Sequence, residues 1–400
     1  MAPSAMADIA PMQLPIYSKH SNKVNASVLH GPRDLRLEVR NIEEPGPGEL
    51  QIAVRSTGIC GSDVSYYKKF ANGDLCACAP LSLGHESSGT VVAIGTQVHG
   101  FKVGDRVALE VGVPCGQCGI CRKGRLPEHV SFEAAALLEP LSVAIHAINR
   151  ASPAPGSTAL VIGAGTVGLL TAAMARQSGC TSVTITDVDA GRVNYAVKKG
   201  FATHGFIVPQ PSHTSSSNSS IFTNSGSSTP LEPGAMTPAS LYPNTIHEQL
   251  ESAKNLASDI LSLSKVPPNL QDEDEDEGVD VTFECTGKEA CMHTSLYATK
   301  PGGKVIMVGM GTPIQTLPMS AAHLREVDIL GIFRYANTYG TGVKLLSAQG
   351  RGGIGFAFPD LDDMVTHKFK GLGAAKKAFE LASKTVDDDG NLVLKVVIEI

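Results

Sequence analysis

The sequence predicts an α/β protein, in which an antiparallel β region precedes a parallel, doubly wound nucleotide-binding unit. Three observations carry that prediction. Short apolar runs at 26–29, 35–39, 50–54, 89–94 and 106–109 alternate with turn clusters, the mark of consecutive antiparallel strands. A glycine-rich turn, Gly163-Ala164-Gly165-Thr166-Val167-Gly168, lies between a strand-like run at 158–162 and a helix-like run at 169–177. A second strand-like run at 182–186 then ends on Asp187. Strand, tight turn, helix, strand and acid, in that order, make the dinucleotide-binding fingerprint.

Taken along the chain, residues 1–23 hold prolines and Asp8 but no basic start. They read as a disordered tail and not as a secretory signal. Turn clusters at 44–49 and 103–106 punctuate the β region, and a helical segment follows over 131–150. Residues 24–150 therefore form a first domain. Residues 151–331 form a second, which a polar insertion at about 209–277 interrupts. Within it, 211–240 is rich in Ser, Thr, Asn, Pro and Gly, and Asp272 to Glu277 are consecutive acids. Neither buries enough apolar surface to offset its ordering entropy. Between them, Ile246, Leu250, Leu256, Ile260 and Leu263 keep a helical spacing. The α/β pattern resumes at 279–284 and 304–308, with further strand-like runs at 329–333 and 392–398 around a helix at 374–383.

Each glycine of the fingerprint has a physical task. Gly163 permits the tight turn, Gly165 lets the backbone approach a pyrophosphate, and Gly168 allows helix and strand to pack closely. The helix N-terminus presents free N–H groups and a partial positive charge to the phosphates. Asp187 accepts hydrogen bonds from ribose hydroxyls and repels a 2′-phosphate, which favours NAD over NADP.

Bulk properties narrow the functional classes. A net charge of −6 over 400 residues gives no support for nucleic-acid or anionic-membrane binding. The uncharged stretch 158–175 approaches the length of a membrane span, but its glycines and strand–turn–helix pattern make it a buried cofactor unit. Nine cysteines without a secretory signal suit a cytoplasmic protein with reduced thiols.

Metal-ligating residue types occur at Cys60 in 58–63, at His85 and Glu86 in 83–86, and at Glu139 in 138–142. Their spacing alone makes no zinc motif. Together with their surroundings, however, the chain resembles a zinc-dependent medium-chain dehydrogenase, nearest to the sorbitol/xylitol (polyol) dehydrogenases. The blocks that carry the resemblance are Gly58-Ile-Cys-Gly-Ser-Asp-Val64, Gly84-His-Glu86, Val103-Gly-Asp-Arg-Val107 and Leu138-Glu-Pro-Leu-Ser-Val143. The glycine fingerprint follows, then Glu284-Cys-Thr-Gly287, Arg325-Glu-Val-Asp-Ile329 and the run from Gly331 to Tyr339.

The resemblance implies a GroES-like β catalytic domain built from both ends of the chain, with 332–400 returning to it, and a Rossmann domain between. It implies catalytic Zn²⁺ on Cys60, His85 and Glu86, with Glu139 near or on the metal through water. Tyr66, Glu139, Arg334 and Tyr335 are the implied substrate contacts. Gly163, Gly165, Val167, Gly168, Asp187, Arg192, Val308, Gly309, Met310, Ile332, Phe333 and Arg334 are the implied NAD contacts. Ser62 is placed to pass a proton towards solvent. The implied activity is oxidation of a polyol of the sorbitol, xylitol or arabinitol type to a ketose, by an enzyme that assembles as a homo-oligomer.

The chain also departs from that family. Cys115, Cys118 and Cys121 resemble the start of a four-cysteine structural zinc lobe whose fourth cysteine is missing. After Arg125 the sequence jumps to a block that relatives carry a few dozen residues later. Such a deletion leaves the catalytic β domain short and raises the rival expectation of an NAD-binding remnant. Ser65 stands where many relatives have histidine. A dehydrogenase of simple secondary alcohols is the other enzymatic alternative, which Glu139 and the Arg334-Tyr335 pair disfavour.

Overall fold

In the computed structural model, residues 23–110, 126–209, 246–263, 278–349 and 358–400 are described. Cys115, Cys118 and Cys121, the tail, and the Ser-rich and acidic runs lie outside them. The N-terminal region opens with β1 (Lys23–Gly31), β2 (Asp34–Asn41) and β3 (Leu50–Gly58). Helix α1 (Gly61–Lys69) and the short strands β4 (Ala71–Asn72), β5 (Leu75–Cys76) and β6 (Leu81–Ser82) follow. Then come β7 (Glu86–Ile94), β8 (Arg106–Leu109), α2 (Phe132–Ala136) and α3 (Leu138–Ala151).

Helix α1 interrupts a region that reads as strands alone. Its start is set by Cys60 and Asp63, which form a reciprocal capping box, and Lys68 and Lys69 in the last turn complement the helix dipole. The helical segment read over 131–150 is two helices. Pro140 lies in the first turn of α3, where its missing N–H has no intrahelical partner to lose.

The second domain runs β9 (Thr158–Ile162), α4 (Thr166–Gln177), β10 (Ser182–Asp187), α5 (Ala190–Lys198), β11 (His204–Ile207) and α6 (Ile246–Ser262). It continues through β12 (Val279–Glu284), α7 (Glu289–Ala298), β13 (Thr299–Met307), α8 (Met319–His323) and β14 (Asp328–Gly331). The six strands are parallel in the order β11-β10-β9-β12-β13-β14. That is the doubly wound Rossmann order, with its reversal between β9 and β12. Helix α6, inside the range read as a polar insertion, is one of the covering helices. Its Ala257 and Ile260 pack with Leu160 and Ile162 of β9.

The chain then returns through α9 (Tyr339–Gln349), β15 (Val365–Lys370), α10 (Ala375–Ala382) and β16 (Lys395–Glu399). The last strand pairs antiparallel with β3, in a sheet ordered β15-β16-β3-β7-β8. Early and late segments of the chain thus build one sheet. β15 has no counterpart in the sequence reading: its run Val-Thr-His-Lys-Phe-Lys alternates with no fully buried residue, so its apolar signal is weak. After the undescribed stretch, Leu126 N–H donates to the carbonyl of Arg106, and the Arg106 guanidinium donates to the carbonyls of Pro127, Glu128 and Val130. The segment following Arg125 therefore closes directly on β8. One hydrophobic cluster joins the domains, with Leu137, Leu141 and Ile145 packing among Val161, Leu169, Leu170 and Phe283.

Candidate active site

Register builds the candidate metal site. β3 and β7 pair antiparallel so that Gly58 faces Glu86, which brings Cys60, just past β3, beside the start of β7. Cys60, His85 and Glu86 each offer a ligand atom, and these atoms lie within 4.8 Å of one another. Thiolate, imidazole and carboxylate form a donor set suited to Zn²⁺, and three protein ligands leave a position for substrate oxygen.

Two charged residues without a role in the sequence reading support the triad. Asp63 is 3% exposed; it accepts from Cys60 N–H at 3.0 Å and lies 3.2 Å from His85 Nδ1. A carboxylate on a ligand histidine fixes ring orientation and tautomer. Burial opposes protonation of His85, but the Asp63 carboxylate and the Cys60 sulfur outweigh it and raise the imidazole to about 11. A metal ion must therefore displace that proton to bind. The second residue is Lys395, whose Nζ lies 2.5 Å from Glu86 Oε2. Asp63 is an acid three residues after Cys60, a spacing that becomes a capping signal only once α1 is known to start there. Lys395 carries no local signal, because only the pairing of β16 with β3 brings it there.

Glu139 lies in the first turn of α3, 5% exposed. Burial, then the charge of Glu86, raise its carboxyl to about 7, while His85, Lys395 and Arg334 pull the other way. It is close enough to feel the triad but is not grouped with its ligand atoms. Arg334 has φ 51, a left-handed conformation that costs energy outside glycine and gathers at functional sites. Tyr335 is partly buried, 5.4 Å ring to ring from Tyr339, whose hydroxyl donates to Leu109 O at 2.8 Å. Tyr66 and Ser62 are partly buried on α1, with Tyr66 against the cluster of Ile59 and Tyr67.

The second half of the site is the crevice at the C-terminal ends of β9, β12, β13 and β14. Gly163 has φ 102, and a Cβ at Gly168 would overlap the Gly163 carbonyl oxygen. Gly165 caps α4 with no side chain; a Cβ there would meet only Arg192 Nη1, at 3.9 Å. Val167 is in the first turn of α4. Asp187 ends β10 and accepts from Ala164 N–H at 2.7 Å and from Asp189 N–H at 3.0 Å. Arg192 donates to Val393 O at 3.2 Å, and its buried Nε has no partner among the described residues. An open glycine cradle at a helix N-terminus, beside an unsatisfied guanidinium nitrogen, fits an anionic dinucleotide.

Opposite Gly163, Thr286 and Gly287 form the crevice wall. Buried Glu284 holds that loop by accepting from the N–H groups of Thr286 and Gly287. Val308 and Gly309 N–H both donate to Glu284 O, and Gly309 is packed so tightly against Gly287 that a Cβ has no room. Met310 and Phe333 are exposed, at 55% and 65%, and Ile332 is partly buried. No helix among the described residues is long and apolar enough to cross a membrane.

Comparison with known proteins gives this geometry its family. Residues 46–138 match the alcohol dehydrogenase GroES-like domain, and residues 244–348 match zinc-binding dehydrogenase. Sorbitol dehydrogenase of Gallus gallus is 34% identical over 90% of this chain and 93% of its own length; that of Homo sapiens is 34% identical over 89% and 92%. An Escherichia coli oxidoreductase/dehydrogenase of unknown specificity superposes with TM-score 0.69 at 25% identity, covering 94% of this chain and 99% of that one. L-idonate 5-dehydrogenase of the same species gives TM-score 0.66 at 19% identity over 95% and 100%, which speaks for the fold. A ligand triad where β3 meets β7, a Rossmann sheet between two halves of a GroES-like domain, and a likeness that runs along nine-tenths of the sequence place this chain among the zinc-dependent medium-chain dehydrogenases of the sorbitol dehydrogenase type.

Proposed function

We propose that the protein oxidises a secondary hydroxyl of a polyol to a ketone with NAD⁺ as hydride acceptor. The observation that carries this reading is the convergence of Cys60, His85 and Glu86 with buried Glu139, whose carboxyl also feels the charge of Arg334. Zinc held by the triad supplies Lewis acidity to the substrate oxygen, and NAD⁺ supplies the hydride acceptor.

The chain's own residues do the rest. Asp63 and Lys395 hold two of the ligands. Glu139, a buried carboxyl beside the triad, is placed to take up or release a proton, and Ser62 relays it outward. Arg334, Tyr335 and Tyr66 bind the hydroxyl-rich chain through their donors. Asp187 selects the ribose of NAD over a 2′-phosphate, and Arg192 supports the same end of the cofactor.

A homo-oligomer fits the exposed apolar residues around edge strand β14, with Ile314, Leu324 and Phe333 at 85%, 76% and 65% exposure. The jump in sequence after Arg125 raises one second reading, an NAD-binding protein without turnover. One experiment separates the readings: NADH formation with sorbitol, xylitol, arabinitol and a simple secondary alcohol, alongside thermal protection by NAD. Turnover on a polyol supports the first reading. Protection without any turnover supports the second, and preference for the simple alcohol sinks the polyol assignment.

A further inference from the structure

Each member of the triad has its own support. Cys60 sits at the N-terminus of α1 with its N–H on Asp63, and His85 faces Asp63. Glu86 is supported from the far end of the chain. Lys395 is 2% exposed, and its Nζ makes a 2.5 Å bond to Glu86 Oε2 and a 3.2 Å bond to the Ile59 carbonyl. On another side, Gly58 leaves space that the carboxylate uses: a Cβ there would collide with Glu86 Oε2. Glu86 itself is 1% exposed. The carboxylate is thus boxed, with Oε2 committed.

We propose that Lys395 is a positioning residue of the metal centre: it holds Glu86 by Oε2 and so fixes the orientation of the carboxylate that would meet an ion shared with Cys60 and His85. This rests on the reading of those three residues as zinc ligands. Two effects of the ammonium oppose each other. Its charge repels a divalent ion, and its hydrogen bond keeps the ligand in place and the buried carboxylate paired. The pairing prevails, because a buried carboxylate that loses its partner is an uncompensated charge and a ligand free to turn away. The charges also balance. Zn²⁺ and Lys395 carry three positive charges against the three negative charges of the Cys60 thiolate and the Glu86 and Asp63 carboxylates. The last strand therefore completes a metal site whose ligands lie more than three hundred residues earlier.

The test uses the full chain, stripped of metal and measured without NAD or polyol. Zinc affinity comes from chelator competition, and the absorption spectrum of the Co²⁺-loaded protein reports the ligand field. Lys395→Met is expected to weaken zinc binding about 10- to 100-fold and to shift the cobalt bands. Lys395→Arg is expected to recover most of the affinity. Ile398→Ala, at a buried position on the same strand whose side chain lies on the opposite face from Lys395 and packs with Tyr67 and Phe379, is expected to lower the Tm while leaving both readouts unchanged.

Wild-type zinc affinity and an unchanged cobalt spectrum in Lys395→Met would overturn the proposal. So would an equal weakening in Ile398→Ala, which would mean general loosening of the strand. Should Lys395→Met fail to fold, Lys395→Gln carries the test, with intermediate weakening expected and wild-type affinity overturning it. Cys60→Ser reports any zinc held elsewhere. If Cys60→Ser binds at this site as tightly as the wild type, the ligand assignment fails first, and that outcome is distinct from failure of the Lys395 role.

Discussion

The candidate cofactor crevice and the candidate metal triad are assembled by different routes. The crevice takes the glycine turn and its acid from one βαβ unit between Gly163 and Asp187, with Thr286 and Gly287 as the facing wall. The triad draws on the end of β3, the start of β7 and, through Lys395, on the last strand. A site made within one supersecondary unit follows from local backbone rules. A site made by strand register exists only once the whole sheet has formed. The first therefore survives damage to the second, and the predictions below are ways to break or sharpen that contrast.

The largest effect is expected from Cys60→Ser. Losing a Lewis acid removes several kcal/mol of transition-state stabilisation, so turnover falls by at least about a thousandfold. Thermal protection by NAD stays intact. Loss of NAD protection in the same variant would show that the crevice and the triad are one cooperative site.

Gly168→Ala attacks the other half. The added methyl overlaps the Gly163 carbonyl oxygen, and overpacking of this kind costs about 1–3 kcal/mol. A Tm lowered by several degrees with NAD protection lost is expected, while the zinc content of the purified protein stays at the wild-type level. Differential scanning fluorimetry and metal analysis read both.

Asp187→Asn is milder, because Asn keeps one acceptor for the Ala164 N–H. Loss of a charged hydrogen bond of about 1.5–3 kcal/mol predicts NAD affinity at least about tenfold weaker, with the NAD:NADP ratio of kcat/KM shifted towards NADP. An unchanged ratio would remove Asp187 as the selector.

The smallest effect concerns pH. Glu139 titrates at about 7 in the folded metal-free protein against an ordinary value of 4.5, so the folded state holds more protons than the unfolded state across that window. Stability from this group is full below about 4.5 and is lost as pH rises towards 7. The Tm of metal-free protein is expected to drop by a few degrees over that range, and Glu139→Gln should flatten the slope. A slope of equal size in Glu139→Gln would assign the dependence to other groups.

Much of this protein was determined by its sequence alone. The glycine turn, its flanking strands and Asp187 declare themselves because 3.6- and 2-residue periodicities and the need for positive φ at Gly163 are local. The helical spacing inside the polar stretch likewise marked α6. Cys60, His85, Glu86 and Glu139 were candidates only through resemblance, since their separations in sequence contain no metal geometry. Tertiary structure decided that Gly58 faces Glu86, that Asp63 supports His85, and that β16 delivers Lys395 to a buried carboxylate. The physical reason is that a hydrogen-bond partner across a sheet is chosen by strand register, which depends on the packing of the whole domain and leaves no trace in the residues beside Lys395.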